Sequence, residues 1–144
     1  MLVRNVLDAK GRQLISIGPD APVSQAIALF VEHQIGSLPV VDSSGNLIGI
    51  FTERDVLYGD FTDSKQFHRR LIGEVMTGDP LTCGLDDPVC EVMDRMAGCR
   101  VGQMPVVDDG ELIGLVSVGD LIRSLHDGLE TENQHLTAYI HGPS

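Results

Sequence analysis

Two four-residue segments of the chain pair a hydroxyl with a carboxylate three positions on: Thr52-Glu53-Arg54-Asp55 and Ser117-Val118-Gly119-Asp120. At the start of a helix this spacing lets the hydroxyl accept a backbone N–H while the carboxylate reaches back to the capping residue. The same groups can also hold a ligand. A carboxylate can accept both hydroxyls of a vicinal diol, and a helix start with its hydroxyl can receive an anion. The two roles are compatible, because an N-cap hydroxyl already stands at the anion-binding end. Lys10, Arg54, Arg100 and Arg123 are the candidate basic residues for such an anion. Arg54 lies inside the first segment, whereas Gly119 takes its place in the second, so two equivalent sites are not expected.

Other chemistry is poorly supported. Cys83, Cys90 and Cys99 form no CxxC pair, and the five histidines show no HExxH or comparable spacing, so no metal site is expected. Neither a nucleophile–base constellation nor a Walker-type phosphate loop is legible, so no catalytic residue is assigned. A duplicated motif favours binding over catalysis, since active sites assemble several different roles.

The elements that must position these residues occur twice. Residues 35–42 read IGSLPVVD and residues 101–108 read VGQMPVVD. DAPVSQAI at 20–27 lies over DDPVCEVM at 86–93, and GNLIGIFTERDVL at 45–57 over GELIGLVSVGDLI at 110–122 after a one-residue deletion. Two units of about 60 residues are too few for a solenoid and predict a pseudo-twofold pair.

Within each unit, Leu14–Ile17 and Leu81–Cys83 read as short strands. Val23, Ala26, Ile27, Phe30 and Val31 recur at helical spacing, as do Val89, Val92, Met93, Met96 and Ala97. Pro22 and Pro88 suit the first helical position, and Asp87 is a candidate N-cap. Leu38–Val41 and Met104–Val107 read as buried strands, followed by hairpin turns at Asp42–Gly45 and Asp108–Gly110. Leu47–Phe51 and Leu112–Val116 are the returning strands, and second helices begin at Thr52 and Ser117. The expected class is α/β, of the α+β type, with two β-α-β-β-α units that cover one another's sheets. The expected boundaries are 1–60 and 74–125 for the units and 61–73 for a connector. Residues 126–144 are the expected amphipathic tail; Leu125, Leu129, Leu136 and Ile140 make an apolar stripe at helical spacing within Ser124–Ile140, with Gly128 a weak point.

Charge narrows the partners. Ten Lys and Arg face 21 Asp and Glu, for a net charge of −11 over 144 residues. Such a surface repels polyphosphates, so a nucleic-acid polymer or an anionic membrane is not the expected partner. No apolar run approaches the ~20 residues of a membrane-spanning helix. Met1 to Arg12 has polar breaks at Arg4, Asn5 and Asp8 and lacks a signal-peptide core. An odd number of crowded cysteines fits reduced thiols, so a cytoplasmic location is expected.

The duplicated hydrophobic-Gly-x-x-Pro-Val-Val-Asp segment, the Gly-x-Leu-Ile-Gly strand and the Thr/Ser-x-x-Asp helix start resemble the CBS domain family, named for cystathionine β-synthase. Met76-Thr77-Gly78-Asp79-Pro80 is similar to a common lead-in to such a unit. The resemblance covers about residues 1–125, and Asn133–Ile140 looks like the ending of stand-alone bacterial CBS-pair proteins, with no room for an attached enzyme or channel. It implies a Bateman module with two potential sites between its units. It also implies a regulatory role, often as a homodimer that acts on a separate partner. The ligands it implies are adenosyl compounds: AMP, ADP, ATP, S-adenosylmethionine or a dinucleotide such as NAD(H), with AMP or ATP favoured and no cofactor required. Carried over, adenine contacts fall on Ile15, Ser16, Ile35 and Gly36, and on Leu81, Thr82, Val101 and Gly102. Asp55 and Asp120 become ribose acceptors beside Thr52 and Ser117, with Lys10, Arg54 and Arg100 as candidate phosphate partners. The lack of further basic residues in Val101-Gly102-Gln103 puts polyphosphate binding at the second site in doubt. The alternative is an interaction module with an empty cleft.

Overall fold

The computed structural model describes residues 1–11 and 13–141, the side chains beyond 133 excepted. Helix α1 (Val3–Lys10) and helix α2 (Val23–His33) lead into strands β1 (Ser37–Val41) and β2 (Leu47–Thr52). Helix α3 (Glu53–Thr62), a 3₁₀ turn at Phe67–Arg69, the single-turn helix α4 (Ile72–Val75) and strand β3 (Thr77–Gly78) follow. Helix α5 (Val89–Cys99), strands β4 (Gln103–Asp108) and β5 (Glu111–Ser117), and helix α6 (Val118–His141) complete the chain.

The repeat is realised as two hairpins of matching register. Ser37 opposes Thr52 and Leu38 opposes Phe51 in the first; Gln103 opposes Ser117 and Met104 opposes Val116 in the second. Asp42 organises the first turn by accepting the Ser44 and Asn46 N–H groups at 2.9 Å each. Asp109 and Gly110 turn the second with φ of 53° and 79°, the left-handed pair that matches strand twist. The expected strands over Leu14–Ile17 and Leu81–Cys83 shrink to single bridging residues. Ile17 pairs in parallel with Val40, and Cys83 with Val106.

Two expectations at helix starts need correction. Pro22 and Pro88 are N-caps rather than first helical residues, with ψ of 154° and 137°. Each is held extended by an antiparallel bridge, Pro22 to Leu71 and Pro88 to Leu2. Asp87 does not cap α5; its carboxylate accepts the Gly84 N–H at 2.8 Å and closes the preceding turn.

Those two bridges reveal how the halves are joined. Val3, Val6 and Leu7 of α1 are buried with Val89, Val92, Met96, Met104, Val106, Val116 and Leu121 in one core. Ile72 of α4 is buried with Val23, Phe30, Leu38, Phe51 and Phe67 in the other. Thus α1, which precedes the first hairpin, docks on the second, and α4, which precedes the second, docks on the first. Residues 1–60 are therefore divided between the two cores. The first core holds a run of aromatic rings, Phe30 and Phe51 with centroids 6.0 Å apart and Phe51 and Phe67 6.4 Å apart. The second uses Met96 and Met104, which fill irregular space flexibly.

The tail is continuous with the helix after β5, and α6 passes through Gly128 without a break. Leu125 packs partly against the second core, whereas Leu129 is exposed. Leu136 and Ile140 lie outside the described side chains. Among the described residues, no helix is long and apolar enough to cross a membrane.

Candidate ligand-binding site

Both hydroxyl–carboxylate segments are reciprocal caps. Asp55 Oδ2 accepts the Thr52 N–H at 2.9 Å, and Thr52 Oγ1 accepts the Asp55 N–H at 3.3 Å. Asp120 Oδ2 accepts the Ser117 N–H at 2.9 Å, and Ser117 Oγ accepts the Asp120 N–H at 3.0 Å. Each helix start is also tied to the segment before its own hairpin, Glu53 N–H to Gly36 O and Val118 N–H to Gly102 O, both at 3.0 Å. These bonds place both carboxylates at the seam between the units.

Around Asp55 the seam opens into a cleft of about 550 Å³, within the ~300–1,000 Å³ usual for small-molecule sites. Thr52, Glu53, Arg54, Asp55 and Tyr58 form one wall; Cys99, Arg100, Val101, Gly102 and Gln103 form the other. Gly36, Ile50 and Thr77 complete the lining. A Cβ at Gly36 would stand 3.3 Å from Glu53 Oε2, so that glycine leaves room for the carboxylate, whereas Gly102 borders open space. The guanidinium of Arg54 lies 5.6 Å from the Tyr58 ring centroid. Its interaction with Tyr58, and then with Asp55, holds its pKa above the ordinary value. Arg100 terminates α5 in the left-handed conformation, φ 55° and ψ 40°.

The second cleft has two lobes of about 250 Å³ each. Leu14, Ile15, His33, Ile35 and Leu115 line one; Gln34, Ile35, Ser37, Gln103, Ser117 and Asp120 line part of the other. Lys10 lines both. Its ammonium donates to Asp120 Oδ2 at 2.6 Å and to Leu115 O at 2.7 Å. Arg123 approaches Asp120 more loosely, at 3.8 Å. Burial, the largest single influence on Asp120, pushes its carboxyl upward. The hydrogen bonds from Lys10 and the Ser117 backbone outweigh it and hold the group below the usual carboxylate range.

The residues singled out from sequence are thus regrouped. The first hydroxyl–carboxylate segment faces Arg100, Val101 and Gly102 of the other unit, and the second faces Ile35 and Gly36. Arg54 and Arg100 share one cleft; their repeat counterparts are Gly119 and Gln34, and among the described residues no arginine lines the other cleft. Ile15 lines the lobe that also holds Leu14 and His33, but Ser16, Leu81 and Thr82 line none of these clefts. Thr82 instead accepts a hydrogen bond from Arg95 through its carbonyl. Glu53, Tyr58 and Cys99 are additions that the chain spacing around Thr52 and Arg100 could have supplied. All three cysteines are free thiols, and burial pushes Cys83 up to about 11.

The fold is thus a tandem pair of hairpin-and-helix units, each with a hydroxyl–carboxylate helix start at the seam. The CBS domain family model matches residues 6–59 and 72–127, so the chain belongs to the CBS domain family. It is 30% identical to the mitochondrial CBS domain-containing protein CBSX3 of Arabidopsis thaliana, over 97% of this chain and 72% of that protein. Among solved structures, the CBS domain pair of protein MJ0100 in complex with 5′-methylthioadenosine and S-adenosyl-L-methionine superposes with a TM-score of 0.77 and 30% identity. The match covers 89% of this chain and 97% of that one. CBSX2 in complex with AMP superposes with a TM-score of 0.71 and 28% identity, covering 79% of this chain and 88% of that one. The chain also matches inosine-5′-monophosphate dehydrogenases, such as that of Korarchaeum cryptofilum at 36% identity, but spans only 22% of their length.

Proposed function

We propose that this protein is a cytoplasmic, non-enzymatic regulatory module that binds an adenosine nucleotide, AMP or ATP, in the cleft beside Asp55. One observation carries this reading. Arg54 from the first unit and Arg100 from the second line the same cleft as the Asp55 carboxylate and the Thr52 helix start. The carboxylate suits a ribose diol, and the helix start with two guanidinium groups suits phosphate. S-Adenosylmethionine carries a sulfonium cation, which the two arginines disfavour. The adenosyl ligands of the MJ0100 and CBSX2 structures support the ligand class. Because the nucleotide would touch both units, its binding favours one relative geometry over others. A partner protein or a second copy of the chain reads that geometry, and we propose a homodimer as the working form.

Calorimetric titration of nucleotide-free protein with AMP, ATP, S-adenosylmethionine, NADH and adenosine tests the reading. AMP or ATP is expected to bind most tightly. Arg54→Ala with Arg100→Ala is expected to weaken AMP by about tenfold or more while changing adenosine little, as charge-assisted bonds to phosphate are lost. A folded protein that binds none of these ligands, or a double variant that binds AMP as the wild type does, rejects it.

A further inference from the structure

We propose that Lys10 is a gate that keeps the second cleft closed to nucleotide, so that one chain binds a single ligand at the Asp55 cleft. This rests on the nucleotide reading and adds a determinant of stoichiometry. The repeat supplies an internal comparison. In the first cleft, Asp55 Oδ2 receives only the N–H and hydroxyl of its own cap residue, Thr52. In the second, the equivalent Oδ2 of Asp120 receives the Lys10 ammonium as well as its cap. That carboxylate side chain is 13% exposed. A ligand hydroxyl must therefore displace a charge-assisted hydrogen bond to reach it.

Lys10 is also held in position. It ends α1, whose Val3, Val6 and Leu7 are buried in the second core, and a second bond to Leu115 O fixes the ammonium. Lys10 lines both lobes, as do Ile35 and Leu115. Leu14 and Ile15, which could face a base, line one lobe, and Ser117 and Asp120, which could face a sugar, line the other. Among the described residues, no arginine lines these lobes.

AMP titrations of the wild type, Lys10→Met and Lys10→Ala read the gate directly as stoichiometry. Methionine keeps an unbranched apolar stem and alanine removes it, so the pair separates loss of charge from loss of packing. About one AMP per wild-type chain and about two per variant chain is the expected result. Two per wild-type chain, or folded variants that both stay at one, would overturn the gate. Binding to the variants alone supports the gate while rejecting the Asp55 cleft as the nucleotide site. No binding to any of the three rejects both.

Discussion

At the residue scale, the two aspartates show how one local motif acquires different chemistry from distant neighbours. Asp55 and Asp120 cap their helices alike, yet only Asp120 is paired with a lysine 110 residues away. That pairing predicts a pH dependence. A carboxyl held below its ordinary range favours the folded state at neutral pH. The contribution is complete above the ordinary carboxyl pKa of about 4 and is lost as pH falls through the depressed folded value. Thermal melts of wild type and Lys10→Met should therefore differ most at neutral pH and converge as the pH falls through the depressed Asp120 value. A gap that persists undiminished in acid would show that the lysine stabilises through its stem and not through the ion pair. Local spacing exposes the caps in the sequence, because cap and carboxylate are three residues apart. It cannot expose Lys10–Asp120, whose partners meet only through the docking of α1.

At the scale of elements, hydrophobic periodicity and turn residues reveal both hairpins and the helices before and after them. Their shape is set by local sequence: Pro-Val-Val and Leu-Ile-Gly strand segments, turns that begin with Asp and end with Gly, and hydroxyl caps. The crossed docking of α1 and α4 is much harder to read. Each is too short to show a period, and its partner lies in the other unit. A faint signal exists in Leu2-Val3-x-x-Val6-Leu7, which parallels Leu71-Ile72-x-x-Val75-Met76. The grouping of Arg54 with Arg100 escapes for the same reason, since only the pseudo-twofold arrangement brings the two segments face to face. If α1 is part of the second core, Leu7→Ala, at a site 1% exposed, should cost about 2–5 kcal/mol in chemical denaturation. The close approach of Leu7 to Gly114, where an added Cβ would lie 2.9 Å from its Cδ2, leaves little room for the site to relax. A loss well under 1 kcal/mol would mean that α1 only rests on the surface.

At the scale of the whole molecule, the second helices carry apolar residues that the described part of the chain leaves exposed. Leu57, Tyr58 and Phe61 are exposed on α3, Phe61 at 90%, and Ile122 and Leu129 are exposed on α6. Leu57 and Ile122 occupy equivalent repeat positions, so the two helices present related faces. For the proposed homodimer, Leu57→Glu with Phe61→Glu should convert a dimer to a folded monomer in sedimentation velocity. A wild type that sediments as a monomer at every concentration used for nucleotide binding would reject the dimer. The crossed helices have a different consequence, one for how the chain can be divided. The repeat boundary in the sequence is not a boundary in the fold. A cut in the loop at Asp63–Gln66 would give each fragment one hairpin and the clasp of the other. Neither fragment would own a complete core, yet the two together would hold every piece. The halves should therefore behave as obligate complements, each able to mature only in the company of the other.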